Sequence, residues 1–335
     1  MKNLLRSAAI VSAFVFPPIS QAAQVGVHDP VMAQDGNRFY LFSTGPGITF
    51  YSSPDLKNWT LEGRVFPGNP SWAKGVAPTF DGHIWAPDVI HANGKYYLYY
   101  SVSAFGKNTS AMGVTVNSTL DPKSPRYKWE DQGIVVQSVP NRDNWNAIDP
   151  NIVIDEKGTP WMSFGSFWGG LKLVKLDKNM TRVAEPQEWH QLAIRKAQTD
   201  IENDPNDIEG PFIFKKNDYY YLFASWGLCC RGKDSTYHTV VGRAKSVTGP
   251  YLDRNGKDMA KGGGTVVVDR NKDWTGVGHN SAYAFNGKDY LVVHAYEAAD
   301  QHRQKLKVLE MKWDSAGWPV VDPEDLNRYQ SKLLK

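Results

Sequence analysis

The chain has 335 residues, a formal net charge of +3 and many aromatic side chains: 12 Trp, 16 Tyr and 14 Phe. Hydrophobic residues make up 41% of it, which is enough for a packed core and excludes wholesale disorder. The balanced charge argues against a nucleic-acid binder, which usually carries a basic stripe. Aromatic rings have flat apolar faces, and Trp and Tyr add polar tips, so they suit sheet packing or stacking against sugar rings.

The first 23 residues have the order of a secretory signal peptide. A short basic start, Met1–Arg6, precedes the apolar run Ala8–Phe16 and the small-residue stretch Ser20–Ala23. The apolar run is well short of the roughly 20 residues that a membrane-spanning helix needs. We therefore expect residues 1–23 to be removed on export, which leaves a secreted or periplasmic protein of residues 24–335 without a membrane span.

Five strand-like runs, each preceded by a turn signal such as Asn-Gly or Lys-Gly, predict hairpins at a nearly regular spacing. The runs are Phe39–Phe42, Tyr96–Tyr100, Trp161–Phe164, Tyr219–Phe223 and Tyr290–Val293. Equivalent positions in them, which we use as anchors, are Leu41, Leu98, Met162, Leu222 and Leu291. A hairpin-based unit that recurs about every 60 residues is typical of a β-propeller with long inserted loops.

The repeat predicts an all-β fold, a single five-bladed β-propeller domain over residues 24–335. A β-sandwich with similar hairpins is the alternative. Helical stripes are scarce, and only residues 185–197 have helix-forming character, with a loop as the alternative there. The two cysteines, Cys229 and Cys230, are adjacent, and the sequence leaves open whether they form a disulfide.

Three acidic residues and one histidine occupy nearly the same place in four of the five units. Asp29 and His279 lie twelve residues before their anchors, and Asp149 and Glu209 lie thirteen before theirs. The second unit has Ala86 at this place. Because the first strand of each blade lines the channel of a propeller, we expect the four side chains to converge at one mouth of that channel. For any one acid alone, capping of a turn is the simpler explanation.

Carboxylates grouped at one opening are typical of glycoside hydrolysis. One carboxylic acid protonates the leaving oxygen, while a second carboxylate activates water or attacks the anomeric carbon. A third carboxylate nearby raises the pKa of the acid, so that the acid keeps its proton near neutral pH. The pattern therefore predicts a base, an acid and a residue that tunes the acid.

Seven segments, in order from about Val25 to beyond Tyr296, resemble the arabinanases of glycoside hydrolase family 43. One such segment would carry little weight, since Asp-Pro is common, but seven in order on a five-unit pattern are specific. The segments are Val27–Val31, His83–Asp88, Ser101–Gly106, Asn146–Pro150, Phe164–Gly170, Ile208–Phe212 and Gly278–Ser281.

The resemblance implies an inverting, endo-acting α-1,5-L-arabinanase. It implies that Asp29 is the general base that activates water and that Glu209 is the general acid. Asp149 then raises the pKa of Glu209 and holds its orientation. His279 matches a histidine in the central channel near a bound metal, often calcium, and we expect mostly water around such an ion because calcium prefers oxygen ligands. His294 has no metal-ligand spacing and is interpreted as an ordinary strand residue.

The resemblance also implies which residues contact the sugar. Trp85, Phe105 and Trp168 are expected to stack against or line the sugar sites, with core packing as the alternative for each. Asn146 and Ser166 are expected to hydrogen-bond arabinose hydroxyls. The implied partner is arabinan or its oligosaccharides. We expect a monomer that binds no nucleic acid and no organic cofactor, with one structural calcium ion in the channel.

Other functions remain open at this point. An exo-acting arabinanase, a β-xylosidase or an α-L-arabinofuranosidase would use the same acids in a blind pocket rather than an open groove. A retaining fructan- or sucrose-cleaving propeller would surround its acids with other signatures, which are absent around Asp29, Asp149 and Glu209. A non-catalytic sugar-binding propeller would keep the aromatic residues without needing the acids.

Overall fold

The computed structural model describes residues 23–195 and 206–334, which form an all-β fold. The predicted signal peptide lies, except for Ala23, outside the described residues. Helical structure in the described part is limited to α1 (Ala73–Val76), α2 (Asp325–Arg328) and the 3₁₀ turns Gly232–Asp234, Met259–Lys261 and Ala298–Asp300. No helix in these two ranges is long and apolar enough to cross a membrane.

The first 20 of the 21 strands in the described ranges fall into five successive groups of four, and strands that follow one another within a group pair antiparallel. Groups 1 and 2 are β1 (His28–Asp35), β2 (Arg38–Pro46), β3 (Thr49–Ser53), β4 (Asn58–Arg64); and β5 (His83–Ala92), β6 (Lys95–Val102), β7 (Ser110–Asn117), β8 (Glu130–Ser138). Groups 3, 4 and 5 are β9 (Asn151–Ile154), β10 (Pro160–Phe164), β11 (Leu171–Lys175), β12 (Trp189–Ala193); β13 (Ile208–Lys216), β14 (Tyr219–Trp226), β15 (His238–Ala244), β16 (Thr265–Val268); and β17 (Trp274–Phe285), β18 (Lys288–Glu297), β19 (Arg303–Trp313), β20 (Pro319–Val320).

The first strands of successive groups lie against one another in a closed circuit. Strand β1 contacts β5, β5 contacts β9, β9 contacts β13, β13 contacts β17, and β17 contacts β1. Groups 1 and 2 are also joined into one nine-stranded sheet, because Gly45 and Pro46 at the end of β2 pair with β5. The circuit makes neighbours of residues that are far apart in sequence, such as Asp29 in β1 and His279 in β17.

The two ends of the described chain meet where group 5 adjoins group 1. The last strand, β21 (Lys332–Leu334), pairs parallel with β4 at the outer edge of group 1. The carbonyl of Val25 accepts a hydrogen bond from Leu306 in β19 at 3.0 Å, and its N–H donates to the Ser331 hydroxyl at 3.0 Å. The ends therefore tie the first and last groups together.

The five predicted runs all form the second strand of a group, which confirms the hairpin repeat. Glycines of the predicted turns, including Gly36 (φ 58°) and Gly158 (φ 76°), have the positive φ that such turns require. The helical character of residues 185–197 is not realised in the described part of that stretch, where β12 pairs with β11. Trp189 at the start of β12 packs on Trp145 (ring centroids 5.5 Å apart), and such tertiary contacts override helix propensity.

The apolar core lies between neighbouring groups rather than in one central mass. One cluster joins groups 1 and 2, a second joins groups 2 and 3, a third joins groups 3 and 4, and the largest joins groups 4, 5 and 1. All five anchor residues of the repeat are completely buried in these clusters. Because interiors of this kind are close-packed, the second strands form a rigid frame behind the first strands that carry the site.

Candidate active site

One backbone feature recurs in or just before the first strand of every group. A residue there has a positive φ, in a region that residues with a Cβ rarely adopt. In groups 1, 2, 4 and 5 this residue lies within a break in the strand register of the β-bulge kind, and bulges re-aim side chains. These left-handed residues are Asp29 (52°), Ala86 (36°), Asp149 (60°), Gly210 (58°) and His279 (49°).

Glu209 does not occupy the position that the sequence spacing assigned to it. The left-handed residue of group 4 is Gly210, twelve residues before Leu222, and Glu209 precedes it. Glu209 instead pairs with Ser166 through an isolated antiparallel bridge between groups 3 and 4. The predicted equivalence of Glu209 with Asp29 is therefore wrong by one residue. Glu209 occupies a different backbone position from Asp29, Asp149 and His279.

In four of the five cases the N–H of the left-handed residue is held by a side chain in the second strand of the preceding group. Each acceptor lies three residues after the anchor, in the second strand of that group. Group 5 precedes group 1 because the circuit is closed. The four bonds are Ala86 to Thr44 Oγ1 (2.7 Å), Asp149 to Ser101 Oγ (3.1 Å), His279 to Ser225 Oγ (2.8 Å) and Asp29 to His294 Nδ1 (3.1 Å).

Group 3 breaks this repeat in a way that matters for the acids. Its residue at the acceptor position is Gly165, which has no side chain to offer. A Cβ there would lie 2.8 Å from the carbonyl oxygen of Gly170, and φ is +126°, so the position requires glycine. The N–H of Gly210 donates instead to Asp149 Oδ2 at 3.2 Å. Asp149 is thus tied to the residue that follows Glu209.

Three of these left-handed residues, Asp29, Asp149 and His279, line one cleft of about 860 Å³. Residues from all five groups line this cleft, and the segment Leu228–Arg231 is part of its wall. Its lining includes every residue that the sequence placed at the site, namely Asp29, Trp85, Phe105, Asn146, Asp149, Ser166, Trp168, Glu209 and His279.

Asp29 lies among histidines. Its Oδ1 is 3.1 Å from Nδ1 of His279, 3.7 Å from Nδ1 of His294 and 4.0 Å from Nδ1 of His28, and its Oδ2 accepts a hydrogen bond from Thr44. Burial raises the pKa of Asp29, but the nearby histidines, His279 first, and the Thr44 hydroxyl outweigh it and lower the pKa to about 2. Asp29 is therefore an ionised carboxylate at any pH near neutrality.

Glu209 and Asp149 have the opposite electrostatic surroundings. Burial raises the pKa of Glu209, although His279 and hydrogen bonds from the Tyr237 and Ser166 hydroxyls, both 2.8 Å long, oppose the rise. Burial also raises the pKa of Asp149, and the neighbouring Glu209 carboxylate raises it further. Because a negative charge on either carboxyl disfavours ionisation of the other, the pair favours holding one proton between them.

A sequence profile of the glycosyl hydrolases family 43 matches residues 21–319. The chain belongs to glycosyl hydrolases family 43. An extracellular exo-α-(1→5)-L-arabinofuranosidase of Cellvibrio japonicus is 62% identical over 94% of this chain and 91% of its own length. An extracellular endo-α-(1→5)-L-arabinanase of Bacillus subtilis is 40% identical over 93% of this chain and 95% of its own length.

Structural similarity agrees with the sequence comparisons. The structure of a Cellvibrio cellulosa α-L-arabinanase complexed with arabinohexaose is 62% identical, has a TM-score of 0.90, and covers 93% of this chain and 100% of that one. The resemblance to family 43 arabinanases that the motifs indicated is confirmed, and this chain is a glycoside hydrolase.

Two polar residues that were expected to bind sugar are engaged with protein atoms in this family 43 hydrolase. The Ser166 hydroxyl donates to Glu209, so its hydrogen is not available to a sugar and its visible role is to hold the acid. Asn146 is buried, and its Oδ1 accepts a hydrogen bond from Ser110 at 2.6 Å. Both still line the cleft.

The three aromatic residues of the cleft differ in exposure. Phe105 is 83% exposed, so core packing is wrong for it. Trp168 is 37% exposed, and Trp85 is half-buried, with its Nε1–H donating to His83 Nδ1 at 3.0 Å. Flat apolar faces at a cleft surface suit contact with sugar rings.

Residues that hold the acids in place were missed by sequence reasoning. Thr44 and Tyr237 donate to Asp29 and Glu209, respectively. The interpretation of His294 as an ordinary strand residue is wrong, because its ring is fully buried beside Asp29 and accepts the N–H of that residue. A signal was present for Thr44 and His294, since each follows its anchor by three residues. Tyr237 carries no comparable spacing.

The adjacent cysteines form a disulfide, which the sequence could not decide. Cys229 and Cys230 line the cleft, as do the aromatic residues of groups 2 and 3. The N–H of Cys230 donates to the Tyr296 hydroxyl at 2.9 Å, and the Tyr296 ring lies 5.3 Å from that of His294. Tyr296 therefore links the disulfide segment to His294, one of the histidines around Asp29.

The donor atoms near the predicted metal residue do not fit a calcium ion bound directly by protein. Within the described ranges, one group of three side chains has metal-binding atoms within 4.8 Å of one another, namely His28, Asp29 and His294. It does not include His279. Two imidazoles and one carboxylate are a poor set for calcium, which prefers about six to eight oxygens. In addition, Nδ1 of His294 already accepts the Asp29 N–H.

Proposed function

We propose that this family 43 hydrolase cleaves the α-1,5-L-arabinofuranosidic bonds of arabinan with inversion at the anomeric carbon. The observation that carries the proposal is the electrostatic contrast within one cleft. Asp29 is held ionised by histidines, whereas Glu209 lies beside Asp149 in surroundings that retain a proton. The α-(1→5) linkage rests on the relative that is 62% identical and is named for it.

We further propose that the five groups are the blades of a five-bladed β-propeller forming a single domain over residues 24–335. The closed circuit of first strands supports this, as does the high structural similarity to an arabinanase. The hydrogen bonds to the left-handed residues also run from each group to the next and return from group 5 to group 1. The β2–β5 pairing involves two residues of each strand and leaves the circuit intact.

In the proposed reaction, water attacks the anomeric carbon while its proton passes to Asp29. The bond from that carbon to the leaving oxygen breaks, and Glu209 donates its proton to the leaving oxygen. The next cycle needs only a proton on Glu209 and the release of one from Asp29. Inversion requires room for water, so the two carboxyl groups are predicted to lie roughly 6.5–9.5 Å apart rather than about 5–5.5 Å.

Asp149 keeps the acid protonated and in place. A negative charge on Asp149 would disfavour ionisation of Glu209 nearby. The Oδ2 of Asp149 accepts the N–H of Gly210, which follows the acid in the chain. His279 lies between the two halves of the site, where its positive form would balance the carboxylates. Negative charge on Asp29, Asp149 and Glu209 raises the pKa of His279 against the effect of burial.

The sequence predicts cleavage at internal bonds of the arabinan polymer, and the names of the relatives differ on this point. The 62% identical relative is an exo enzyme, and the 40% identical relative is an endo enzyme. Similarity therefore favours attack at chain ends, and internal cleavage stays a prediction. A β-xylosidase or a general α-L-arabinofuranosidase is the remaining alternative within the family.

Incubation with debranched linear arabinan, followed by product sizing over time, tests the proposal. Mixed oligosaccharides at early times support internal cleavage, and a single short product from the start supports attack at chain ends. Release of xylose from xylo-oligosaccharides without action on arabinan would overturn the substrate. Proton NMR of the first product formed tests inversion, because a retained anomer would contradict it. A sugar-binding protein without activity would release nothing.

We also propose where the enzyme is located, how it assembles and which metal it holds. Both curated relatives are extracellular, which supports export and removal of residues 1–23 to give a secreted or periplasmic enzyme. A monomer is predicted and is tested by size-exclusion chromatography with light scattering. One calcium ion near His279, held mostly through water, stays a prediction that metal analysis of the purified protein tests.

A further inference from the structure

His294 is the one acceptor of the repeated hydrogen bonds that is not a hydroxyl, among the four seen in the described residues. Thr44, Ser101 and Ser225 hold the N–H groups of three other left-handed residues, Ala86, Asp149 and His279. His294, in β18 of group 5, holds the N–H of Asp29 through Nδ1 at 3.1 Å. The residue predicted to act as the base is thus held differently from its structural equivalents.

A histidine in this position differs chemically from a serine. A hydroxyl can donate as well as accept, so it could turn its hydrogen towards the Asp29 carboxylate. An imidazole that accepts at Nδ1 carries its ring proton on Nε2 and has no hydrogen to offer from Nδ1. The distance of 3.7 Å from Nδ1 to Asp29 Oδ1 agrees with the absence of a hydrogen bond there. His294 therefore fixes the backbone of Asp29 while leaving the carboxylate to other donors.

The ring of His294 also fills the space between the two halves of the acid/base pair. It stacks on the Tyr237 ring with centroids 5.7 Å apart and planes 24° apart. The Tyr237 hydroxyl donates to Glu209. The rings of His28, at a centroid distance of 4.4 Å, Tyr296, at 5.3 Å, and His279, at 6.4 Å, also surround His294. One side chain thus contacts both the residue that carries the base and the residue that holds the acid.

Fold stability does not explain a histidine at this position. The Nε2 of His294 is buried and has no hydrogen-bond partner among the residues that the structure describes. An unpaired buried donor lowers stability, and a serine such as Ser225 holds the equivalent N–H without one. What a histidine adds over a serine here is the ring that it places against Tyr237.

We propose that His294 is a positioning residue, which sets the carboxylate of Asp29 by holding its N–H and keeps it spaced from the Tyr237–Glu209 pair. This inference rests on the proposed function, in which Asp29 is the base. His294 acts through the backbone of Asp29 and through Tyr237, and it makes no hydrogen bond to the Asp29 carboxylate.

Two amide substitutions separate the hydrogen bond at Nδ1 from the mere presence of a polar side chain. In His294→Asn, the Oδ1 atom lies near the place of Nδ1 and can accept the Asp29 N–H. In His294→Gln, the amide reaches towards the place of Nε2 and leaves that N–H without its acceptor. Because a misplacement of about 1 Å can lower a rate on the order of 10²-fold, we expect His294→Gln to lose kcat on that scale. His294→Asn is expected to keep kcat within about tenfold of the wild type on the same reasoning.

The kinetic parameters are measured on a linear arabino-oligosaccharide, together with thermal unfolding of each variant. A positioning role predicts a loss in kcat with KM little changed, since the sugar contacts remain. His91→Asn is the matched control, because His91 lies at the end of β5 against Tyr96 and outside the cleft, and it should leave both parameters unchanged. Thermal unfolding shows whether both variants are folded, so a difference in kcat between Asn and Gln can be read as a difference in the positioning of Asp29.

Equal kcat values for His294→Asn and His294→Gln would overturn the inference, as would a loss confined to KM. A wild-type enzyme that releases no product from any arabinan would instead overturn the proposed function itself. The two failures are therefore distinguishable.

Discussion

Asp29 and Asp149 occupy equivalent positions in groups 1 and 3, yet their carboxyl groups have opposite properties. Both have a positive φ, both precede a proline, and both N–H groups are held by the preceding group. The pKa of Asp29 is lowered to about 2, largely by histidines acting against burial, whereas burial raises the pKa of Asp149. One backbone position thus supports two different tasks.

The difference comes from the side chains that the neighbouring groups contribute. Group 5 brings His279 and His294 to Asp29, while group 4 brings Glu209 to Asp149. Where no task is assigned, as in group 2, the same position holds Ala86. A repeated frame therefore supplies the geometry, and the contacts between neighbouring groups supply the chemistry.

The largest effect is expected when the two residues predicted to react, Asp29 and Glu209, are each replaced by a neutral amide. Asp29→Asn and Glu209→Gln should each lower kcat on arabinan by about 10²–10⁴-fold, the range for loss of a general base or acid. Binding of an arabino-oligosaccharide, measured by calorimetry, should persist. Glu310→Gln serves as the control, since Glu310 forms an exposed ion pair with Lys288 away from the cleft. Retention of more than a tenth of the activity would exclude the role of the residue changed.

Asp149→Asn tests whether the charge of Asp149 keeps Glu209 protonated. Activity requires a protonated acid, so it is lost as pH rises through the raised pKa of Glu209. Removing the negative charge should lower that pKa and move the alkaline limb of the kcat profile to lower pH by about one unit, equivalent to ~1.4 kcal/mol. The acidic limb set by Asp29 should stay near its original place. An alkaline limb that does not move would show that the charge of Asp149 does not set the pKa of Glu209.

Tyr237→Phe should move the same limb in the opposite direction. The Tyr237 hydroxyl donates to Glu209 and lowers the pKa of that carboxyl, so its removal favours the protonated acid. A hydrogen bond contributes a net ~0.5–1.5 kcal/mol, so we expect a rise of about one pH unit or less. Tyr251→Phe is the control, because that buried hydroxyl donates to the Val247 carbonyl far from the acids. A shift of the Tyr237 variant to lower pH would contradict the contact.

Much of the frame could be predicted from the sequence, because strand pairs with tight turns leave local signals. Runs such as Tyr96–Tyr100 and Tyr219–Phe223 predicted second strands, and the spacing of Asp29, Asp149 and His279 from them predicted the cleft. The one-residue error at Glu209 arose because both it and Gly210 fit the spacing, and only the bulge and the positive φ distinguish them.

What the sequence could not provide were specific contacts between side chains far apart in the chain. Tyr237 reaches Glu209 within group 4, and no spacing from an anchor marks it. His294 reaches Asp29 only after group 5 closes on group 1, so its spacing from Leu291 acquires a meaning only once the circuit is known. The strand β12 was missed because packing of Trp189 on Trp145 overrides a sequence with helical character. The properties that set the two aspartates apart thus depend on these non-local contacts.

The smallest expected effect concerns the exposed aromatic residue at the rim of the cleft. Full burial of a Phe side chain is worth about 1.5–3 kcal/mol, and a furanose ring that covers one face would use roughly half of that. Phe105→Ala should therefore raise KM on arabino-oligosaccharides by about three- to tenfold and leave kcat nearly unchanged. Leu61→Ala is the matched control, since Leu61 is 52% exposed but lies on β4, outside the cleft. Equal KM values for the two variants would remove Phe105 from the binding surface. A drop in kcat would instead indicate that Phe105 affects Asp29 or Glu209, which the comparison of Asp29 with Asp149 does not predict.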